Sequence, residues 1–481
     1  GGTDFSPTAA IFWKLISWAY AQDPAAYAQL GSTHPLNGNF SQIFPSLLIF
    51  LPMVHHRSSP SKMTSKIAVG VVAVAALYST HADAATVMKH SWDTVGSLMG
   101  MHGQGATATP SELEFAAAHY GMITTAAPCS SVAGAHTIED GTLAVARKLK
   151  AANPKALTGM YWRTDFIGEI ATCSNFSAKL KAFGTAAYLR DDNGNFALEH
   201  GHSYMWDYSN RKGVAIFAEA LVNVVNQTLD DGKTPILDYL FLDGPDWGTL
   251  PNISASRNAM LSEAKMEFFA DLQNQFDALP NGLEHPRNII LNGVDTEETA
   301  KRFNPTGASG VMVDHFSILQ FLLTGEPMDV DKCNVKPSDG ICGHFNLTAM
   351  DALFTLVRSK TLSNMTLQVK GWVGPVISQQ GEWPTQMHTP TPGAERQKAM
   401  GERFNSELAL FLLIAEDHMW WLYSWFWGFN SWVPGADSDV PANFFPQAKC
   451  ALGAPKGGPV RKKGTWKYTR EYEHASVFVD L

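Results

Sequence analysis

The sequence is poor in the features that mark several large classes of protein. Charged residues make up only 17% of the 481 residues, the net charge is -9, and no basic run is longer than Arg461–Lys463. A nucleic-acid-binding surface needs concentrated positive charge, so the composition argues against a nucleic-acid partner. The apolar run 67–77 has only 11 residues. That is too short to cross a bilayer, and we expect no stable membrane span.

Cysteine is also scarce, with five residues in the chain. No CxxC pair or cluster of histidines has a zinc-site spacing, so we predict no metal and no other cofactor. Cys333 and Cys342 flank a loop rich in turn-forming residues, which favours a short disulfide. Cys129 and Cys173 form a second, weaker pair, which would leave Cys450 unpaired.

Apolar residues, by contrast, are plentiful. Hydrophobic residues make up 45% of the chain, which allows a large core and excludes general disorder. The 14 Trp and 12 Tyr residues fill cores in most proteins, but their flat faces also suit packing against sugar rings.

Residues 63–84 follow the plan of a secretory signal peptide. Lys62 and Lys66 precede the apolar run 67–77, and the small-residue sequence Ala82-Asp83-Ala84 follows it, with cleavage expected before Ala85. The alternative interpretation of the run is a buried core helix. Because 62 residues precede Met63, we interpret 1–62 as a non-native or untranslated upstream segment, with synthesis starting at Met63 or, less favoured, Met53.

Potential glycosylation sites agree with export. The Asn-x-Ser/Thr acceptors of the predicted mature part are Asn175, Asn226, Asn252, Asn346 and Asn364. We therefore predict a secreted glycoprotein with disulfide bonds.

From residue 95 onward, short apolar runs alternate with longer helical patterns. Buried parallel strands give continuous apolar runs, and eight such runs in series are the number that closes a (β/α)₈ barrel. The predicted strands are 95–103, 121–127, 157–166, 237–247, 288–294, 310–316, 367–375 and 418–426. The predicted helices are 111–120, 139–152, 212–229, 256–278, 347–360 and 395–415.

The fold class is therefore α/β, a TIM barrel over 90–430 with a short C-terminal β extension over 431–481. The stretch 167–236 exceeds one helix and predicts an insertion on the rim of the barrel. Residues 463–481 contain two β-rich runs with a break near Glu473 and His474, which predicts a hairpin packed on the barrel.

Polar side chains gather where the predicted strands end. Catalytic groups of such barrels lie at the C-terminal ends of the strands, because the following loops form one face. The polar or aromatic residues found there are His102, Arg163, Asp165, Asp243, Asp246, Asn292, Asp314, His315, Lys370, Trp372, Ser424 and Trp425. Glu416 and Asp417 precede the eighth strand, at the opposite end, and favour a structural role.

Two of these carboxylates are candidates for catalysis. Glycosidic hydrolysis needs one carboxyl group to protonate the leaving oxygen and a second to attack the anomeric carbon or activate water. Asp243 and Asp314 follow the fourth and sixth strands and are expected roughly across the barrel mouth. Barrel-end aspartates also cap helices or pair with cations, which is the structural alternative. The predicted substrate-binding residues are His102, Arg163, Asp246, Asn292, His315, Trp372 and Trp425.

Two segments resemble known barrel glycosidases. The stretch MWDYSNRKGVAIFAEALVNVV (205–225), followed by LDYLFLDG (237–244), resembles a pattern in which Asp-x-Ser-Asn precedes a helix and the fourth strand ends in Asp. The C-terminal LGAPKGGPV…YTREYEHASVFVDL resembles the tail of the hypothetical glycosyl hydrolase family 15 group, so the resemblance spans roughly 95–481. It implies a barrel, a carbohydrate substrate and Asp243 as nucleophile.

The sequence departs from this group at the sixth strand, where relatives often carry Glu and this chain has Asp314. The chitinase motif Asp-Gly-x-Asp-x-Asp-x-Glu matches only as far as DGPDW, so we reject a chitinase.

The leading hypothesis is a secreted glycoside hydrolase of retaining type, acting on an oligo- or polysaccharide, with Asp243 as nucleophile and Asp314 as general acid/base. The alternative is a non-catalytic carbohydrate-binding or structural extracellular protein on a glycosidase-like barrel. A third hypothesis is a lyase or a metal-dependent hydrolase, in which Asp243, Asp246, His102 and His315 share a metal.

Overall fold

The eight predicted strands form the centre of the fold. A computed structural model describes residues 87–102, 109–126, 137–168, 170–199, 203–245, 250–279, 287–294, 296–313, 316, 347–372, 393–424, 445–463, 465 and 467–480. The predicted signal peptide and the segment before it lie outside these residues and stay predictions. Among the described helices, none is both long and apolar enough to cross a bilayer.

The barrel is closed and parallel throughout. Its eight strands follow one another around the ring in sequence order, and the last strand pairs with the first to close it. The strands are β1 (Ser97–His102), β2 (Met122–Ala126), β3 (Leu157–Arg163), β6 (Tyr239–Asp243), β7 (Asn288–Asn292), β8 (Gly310–Val313), β9 (Thr366–Trp372) and β10 (Met419–Ser424). Each lies within or overlaps one predicted run, so the (β/α)₈ prediction is confirmed.

Helices occupy the segments between these strands. They are α1 (Pro110–His119), α2 (Ile138–Ala152), α3 (Ile170–Cys173), α4 (Ser177–Phe183), α5 (Arg211–Val225), α6 (Ala255–Asp277), α7 (Glu297–Phe303), α8 (Leu347–Val357) and α9 (Gly393–Ile414). Several are preceded by a capping residue whose side chain accepts a hydrogen bond from a backbone N–H of the first turn. These residues are Thr109, Thr137, Asn210 and Thr296. Such caps satisfy donors that the helix itself leaves unpaired.

The predicted insertion is present between β3 and β6. It contains α3, α4, α5 and a short antiparallel hairpin of β4 (Leu198–Glu199) and β5 (Ser203–Tyr204). Ile167, which follows β3 closely, donates its backbone N–H to the carbonyl of Tyr204 over 2.8 Å. The hairpin is thus fastened beside the C-terminal end of β3, on the face where the prediction placed it.

The C-terminal extension is a three-stranded antiparallel sheet of β11 (Val460–Arg461), β12 (Lys467–Glu471) and β13 (Ser476–Asp480). The predicted hairpin is β12 with β13, and β11 adds a third strand. Arg470 of β12 is buried and donates to the carbonyls of Leu412, Leu413 and Ala415 at the end of α9. Carbonyls at a helix end have no partner within the helix, and Arg470 supplies the donors for these three. The side chain therefore connects the sheet to the barrel.

The inside of the barrel is a packed core. Its apolar cluster consists of Met88, Leu98, Met122, Tyr239, Phe241, Ile290, Met312, Trp420 and Leu422. Side chains alternate between the two faces of a strand, so residues two positions from these also face inward. This alternation decides which polar residues reach the mouth.

Candidate active site

Asp243 is a carboxylate of the mouth that several hydrogen bonds hold in place. It ends β6, and 22% of its side chain is exposed. Its Oδ1 accepts hydrogen bonds from Asn292 Nδ2 and from the backbone N–H of Gly244, each over 2.8 Å, and its Oδ2 accepts one from the Tyr161 hydroxyl over 2.6 Å. Donors on a carboxylate favour its charged form.

Strand register explains why these groups meet. Arg163 of β3 is paired with Asp243, and Tyr161 lies two residues earlier on the same face of β3. Asn292 ends the next strand, β7. Three neighbouring strands therefore bring a cation, a phenol and an amide to one carboxylate.

Tyr161 serves as a donor to Asp243. Burial, together with the charge of Asp243 and the hydrogen bond to it, holds the pKa of Tyr161 well above its usual value. Its ring stacks on Phe241, with 5.9 Å between centroids. The phenol therefore stays protonated and keeps its hydrogen available to the carboxylate.

Arg163 lies among three carboxylates. It donates to Asp165 through Nε (3.0 Å) and Nη2, its Nε lies 4.0 Å from Asp243 Oδ2, and its Nη2 lies 3.9 Å from Glu199 Oε1. Burial of the guanidinium opposes its charge, but the hydrogen bond and charge of Asp165 outweigh that effect and raise the pKa of Arg163. Among the described side chains, Arg163 therefore has three carboxylates around it.

A tight turn after β6 fixes this arrangement. Gly244 has a φ of +64°, and a side chain there would place its Cβ 2.8 Å from Asp165 Cγ. The Thr164 hydroxyl donates to the carbonyls of Asp243 (2.8 Å) and Gly244 (3.1 Å), and Lys265 also donates to the carbonyl of Gly244. Only glycine suits this position, because it has no Cβ and adopts positive φ at little cost.

Of the predicted site residues, the structure brings Asp243, Arg163 and Asn292 together. The backbone positions of His102 and Trp372 are described, at the ends of β1 and β9, but their side chains are not. The other predicted site residues, Asp246, Asp314, His315 and Trp425, lie outside the described residues. Their roles stay predictions.

Two residues of the site were missed from the sequence. Tyr161 shares the inward face of β3 with Arg163, and this period of two was the signal that could have found it. Glu199 lies on the short hairpin of the insertion, far from any predicted strand end. No local pattern marks it, since its approach to Arg163 depends on how the hairpin docks.

The described residues bear only in part on the predicted absence of a metal and on the two predicted disulfides. No group of three or more His, Cys, Asp or Glu residues that could hold a metal ion is found within the described ranges. Cys173 is buried and Cys450 is an exposed free cysteine. The other three cysteines lie outside the described residues, so both pairings stay predictions.

Comparisons with known proteins give only distant structural matches. The chain matches no protein-family profile and no curated protein. Among solved structures it is similar to an α-galactosidase from Thermus thermophilus, with 12% identity, a TM-score of 0.40, and coverage of 81% of this chain and 67% of that one. An α-amylase from Geobacillus thermoleovorans matches with 8% identity, a TM-score of 0.39, and coverage of 81% and 87%.

A third match is a β-L-arabinopyranosidase from Geobacillus stearothermophilus, with 10% identity, a TM-score of 0.39, and coverage of 79% and 83%. All three are glycosidases by name. At such low identities and TM-scores the matches carry no argument about substrate or catalysis. The resemblance to the family 15 group stays a prediction.

Proposed function

We propose that the protein is a glycoside hydrolase that uses Asp243 as its nucleophile and acts on an oligo- or polysaccharide. One observation carries this proposal. Asp243 ends a barrel strand at the mouth and is held by three hydrogen-bond donors, with Arg163 Nε 4.0 Å away. A carboxylate held in this way is oriented, as a nucleophile at an anomeric carbon must be.

The charge of the mouth supports the same reaction. Glycosidic cleavage passes through an oxocarbenium-like transition state, in which positive charge develops on the sugar ring. Asp243, Asp165 and Glu199 surround one cation, Arg163. Carboxylates near the sugar would favour this transition state over the neutral substrate, which is the requirement for catalysis.

We assign the general acid/base to Asp314. It follows Val313, the last residue of β8, two strands from β6 around the barrel. In the first step, an oxygen of Asp243 bonds to the anomeric carbon as the glycosidic bond breaks and Asp314 protonates the leaving oxygen. In the second, Asp314 takes a proton from water, and that water displaces Asp243 with overall retention of configuration.

The remaining site predictions complete this proposal. Substrate hydroxyls would be bound by Arg163, Asn292 and the other predicted binding residues, His102, Asp246, His315, Trp372 and Trp425. We also propose export through the secretory pathway, on the basis of the signal-peptide pattern at 63–84 and the glycosylation acceptors.

The test is Asp243→Asn, assayed on a panel of polysaccharides and aryl glycosides. The amide keeps the size of the side chain but cannot attack carbon. We expect kcat to fall by about 10⁴-fold or more while the variant still folds, as circular dichroism would check. Asp192→Asn is the matched control, because Asp192 is an exposed carboxylate of the insertion that pairs with Arg257 of α6. Its activity should equal that of the wild type.

Full turnover by Asp243→Asn would refute the nucleophile assignment. If the wild-type protein binds polysaccharides but cleaves none of them, the non-catalytic carbohydrate-binding protein becomes the better interpretation. Mass spectrometry after brief exposure to a fluorinated glycoside provides a direct check, since the sugar should be found on Asp243.

A further inference from the structure

The insertion hairpin exposes apolar side chains beside the mouth. In the part of the chain that the structure describes, the exposed large apolar side chains are Leu198, Tyr204, Met260, Val460 and Phe478. Leu198 of β4 and Tyr204 of β5 are paired across the hairpin, and each is 41% exposed. Residues paired in this way lie on the same face of a hairpin, so their side chains form one surface.

Two further aromatic rings extend this surface. The Tyr188 ring stacks in parallel on that of Tyr204, with 4.6 Å between centroids and 6° between the planes. Phe196 contacts Tyr188 and Tyr204 edge-to-face, with centroid distances of 5.8 Å and 5.2 Å. The guanidinium of Arg190 lies 3.9 Å from the centroid of Phe196. Tyr188, Phe196, Leu198 and Tyr204 are called the aromatic platform below.

The backbone beneath the aromatic platform is fixed. Leu189 donates its N–H to the carbonyl of Met205 (2.8 Å), Ala197 to that of Leu189 (2.9 Å), and Met205 to that of Ala197 (3.2 Å). Leu189 and Met205 are buried in an apolar cluster with Ile253 and Leu261. Strand alternation puts the platform on the opposite side, because each of its members adjoins one of these three donors in the chain. The rings are therefore in place before a ligand binds.

The same hairpin connects the aromatic platform to the proposed active site. Glu199 directly follows Leu198 in β4, and its Oε1 lies 3.9 Å from Nη2 of Arg163. The carbonyl of Tyr204 accepts a hydrogen bond from the N–H of Ile167, just after β3. The platform thus begins one residue away from a side chain of the mouth. A long substrate that leaves the mouth on the side of β3 would meet it.

The size and chemistry of the aromatic platform suit a sugar chain better than a protein. A stable protein interface buries about 800 Å² of each partner. Fully buried aromatic side chains contribute about 150–250 Å² each, and two of the three rings here are already half-buried, so the platform is too small for such an interface. Flat apolar rings pack against the C–H faces of a sugar, and tyrosine hydroxyls bond its hydroxyl groups.

We propose that the aromatic platform is a binding subsite for the polysaccharide substrate, in which sugar units away from the cleaved bond stack on Tyr204. This subsite rests on the proposed function, because it extends the same active site. It makes the preferred substrate a polymer, since a small glycoside held at Asp243 does not reach the insertion hairpin and gains nothing from the platform.

Affinity gel electrophoresis measures binding without catalysis. Native gels contain soluble starch, galactomannan, xylan or mixed-linkage β-glucan, and a protein that binds the polymer is retarded. Tyr204→Ala should weaken binding of the retarding polymer by about 5- to 10-fold, because one stacking contact is lost. Tyr204→Phe keeps the ring and should retain most of the binding. Phe478→Ala is the matched control, because Phe478 is an exposed aromatic residue of the C-terminal sheet, and it should bind as the wild type does.

A second variant guards against a folding defect. Leu198→Asp leaves Tyr204 intact at an equally exposed position and should also weaken binding, because it replaces an apolar contact by a charge. Equal retardation of the wild type, Tyr204→Ala and Leu198→Asp would overturn the proposal, as would no retardation of the wild type by any of the four polymers. A wild-type dimer that Tyr204→Ala converts to monomers in sedimentation would also overturn it, since a second copy would then cover the platform.

Kinetics separate this subsite from the nucleophile assignment. Tyr204→Ala should lower kcat/KM several-fold more on a cleaved polysaccharide than on the corresponding aryl glycoside, whereas Phe478→Ala should change neither. If Asp243→Asn is inactive but Tyr204→Ala cleaves the polymer as the wild type does, the subsite alone is refuted. If the wild type binds a polymer through Tyr204 but cleaves none, the subsite stands and the nucleophile assignment fails.

Discussion

At the residue scale, Asp243 depends on neighbours that contact no substrate in the proposed mechanism. Its Oδ2 accepts from Tyr161 and its Oδ1 from Asn292 and Gly244, which fixes the plane of the carboxylate. An unconstrained carboxylate would lose orientation and would be attracted further toward Arg163. The orientation of the carboxylate thus comes from these hydrogen bonds.

Replacing Tyr161 by Phe tests this dependence. The change removes one hydrogen bond to a charged acceptor, worth about 1.5–3 kcal/mol, so kcat/KM should fall about 10- to 100-fold. Tyr239→Phe is the control, since Tyr239 is also a buried barrel tyrosine but bonds Thr124 at 2.7 Å, deeper in the core. It should cost stability of about 1 kcal/mol and leave kcat/KM unchanged. Equal losses of activity in the two variants would show that general packing, and not the bond to Asp243, is responsible.

At the element scale, β6 and the turn after it determine how the mouth is built. The predicted strand ran over 237–247, but the observed strand ends at Asp243 because Gly244 leaves the extended conformation and Pro245 follows. The early stop places Asp243 at the rim. It also brings the backbone of Gly244 against Asp165, which holds Arg163 in place.

Gly244→Ala should disturb both stability and activity. The added methyl group meets the Asp165 carboxyl at 2.8 Å, and the backbone at φ +64° is strained for alanine. Gly232→Ala is the matched control, with φ +68° and no atom within 4 Å of the added Cβ. We expect Gly232→Ala to lower the free energy of unfolding by about 1 kcal/mol without affecting kcat/KM. Gly244→Ala should lower both, and urea denaturation with an activity assay would measure this. Matching results for the two glycines would contradict a contact-specific role of Gly244.

At the scale of the whole molecule, Arg470 connects the C-terminal sheet to the barrel. Arg470 donates to three carbonyls at the end of α9, to the carbonyl of Gly457 and to Glu416. The Tyr472 hydroxyl donates to Leu412 beside it. Glu416, for which the sequence favours a structural role, takes part in this contact between the sheet and the barrel.

Arg470→Met should therefore destabilise the whole fold. Removing the guanidinium leaves buried carbonyls and a carboxylate without their donor, a loss of about 3–5 kcal/mol in the free energy of unfolding. Lys467→Met, on the same strand, removes an exposed ion pair with Asp480 and should cost no more than about 1 kcal/mol. Guanidinium unfolding curves would give both values. A loss confined to the C-terminal sheet, seen as a separate early transition, would argue against one cooperative unit.

The sequence by itself determined the succession of strands and helices. Apolar runs and helical periodicity are local signals, so all eight strands and the six predicted helices could be placed without the structure. α7, with only seven residues, was too short for a periodic signal and was not predicted. The sequence also placed Asp243, Arg163 and Asn292 at strand ends, because polar residues directly after buried runs are conspicuous.

Only the tertiary structure decided which side chains meet. The contacts of Tyr161 and Asn292 with Asp243 require three strands in one register, and the approach of Glu199 requires the insertion hairpin to dock beside β3. Stagger and register are set by pairings between residues far apart in the chain, and no local pattern encodes them.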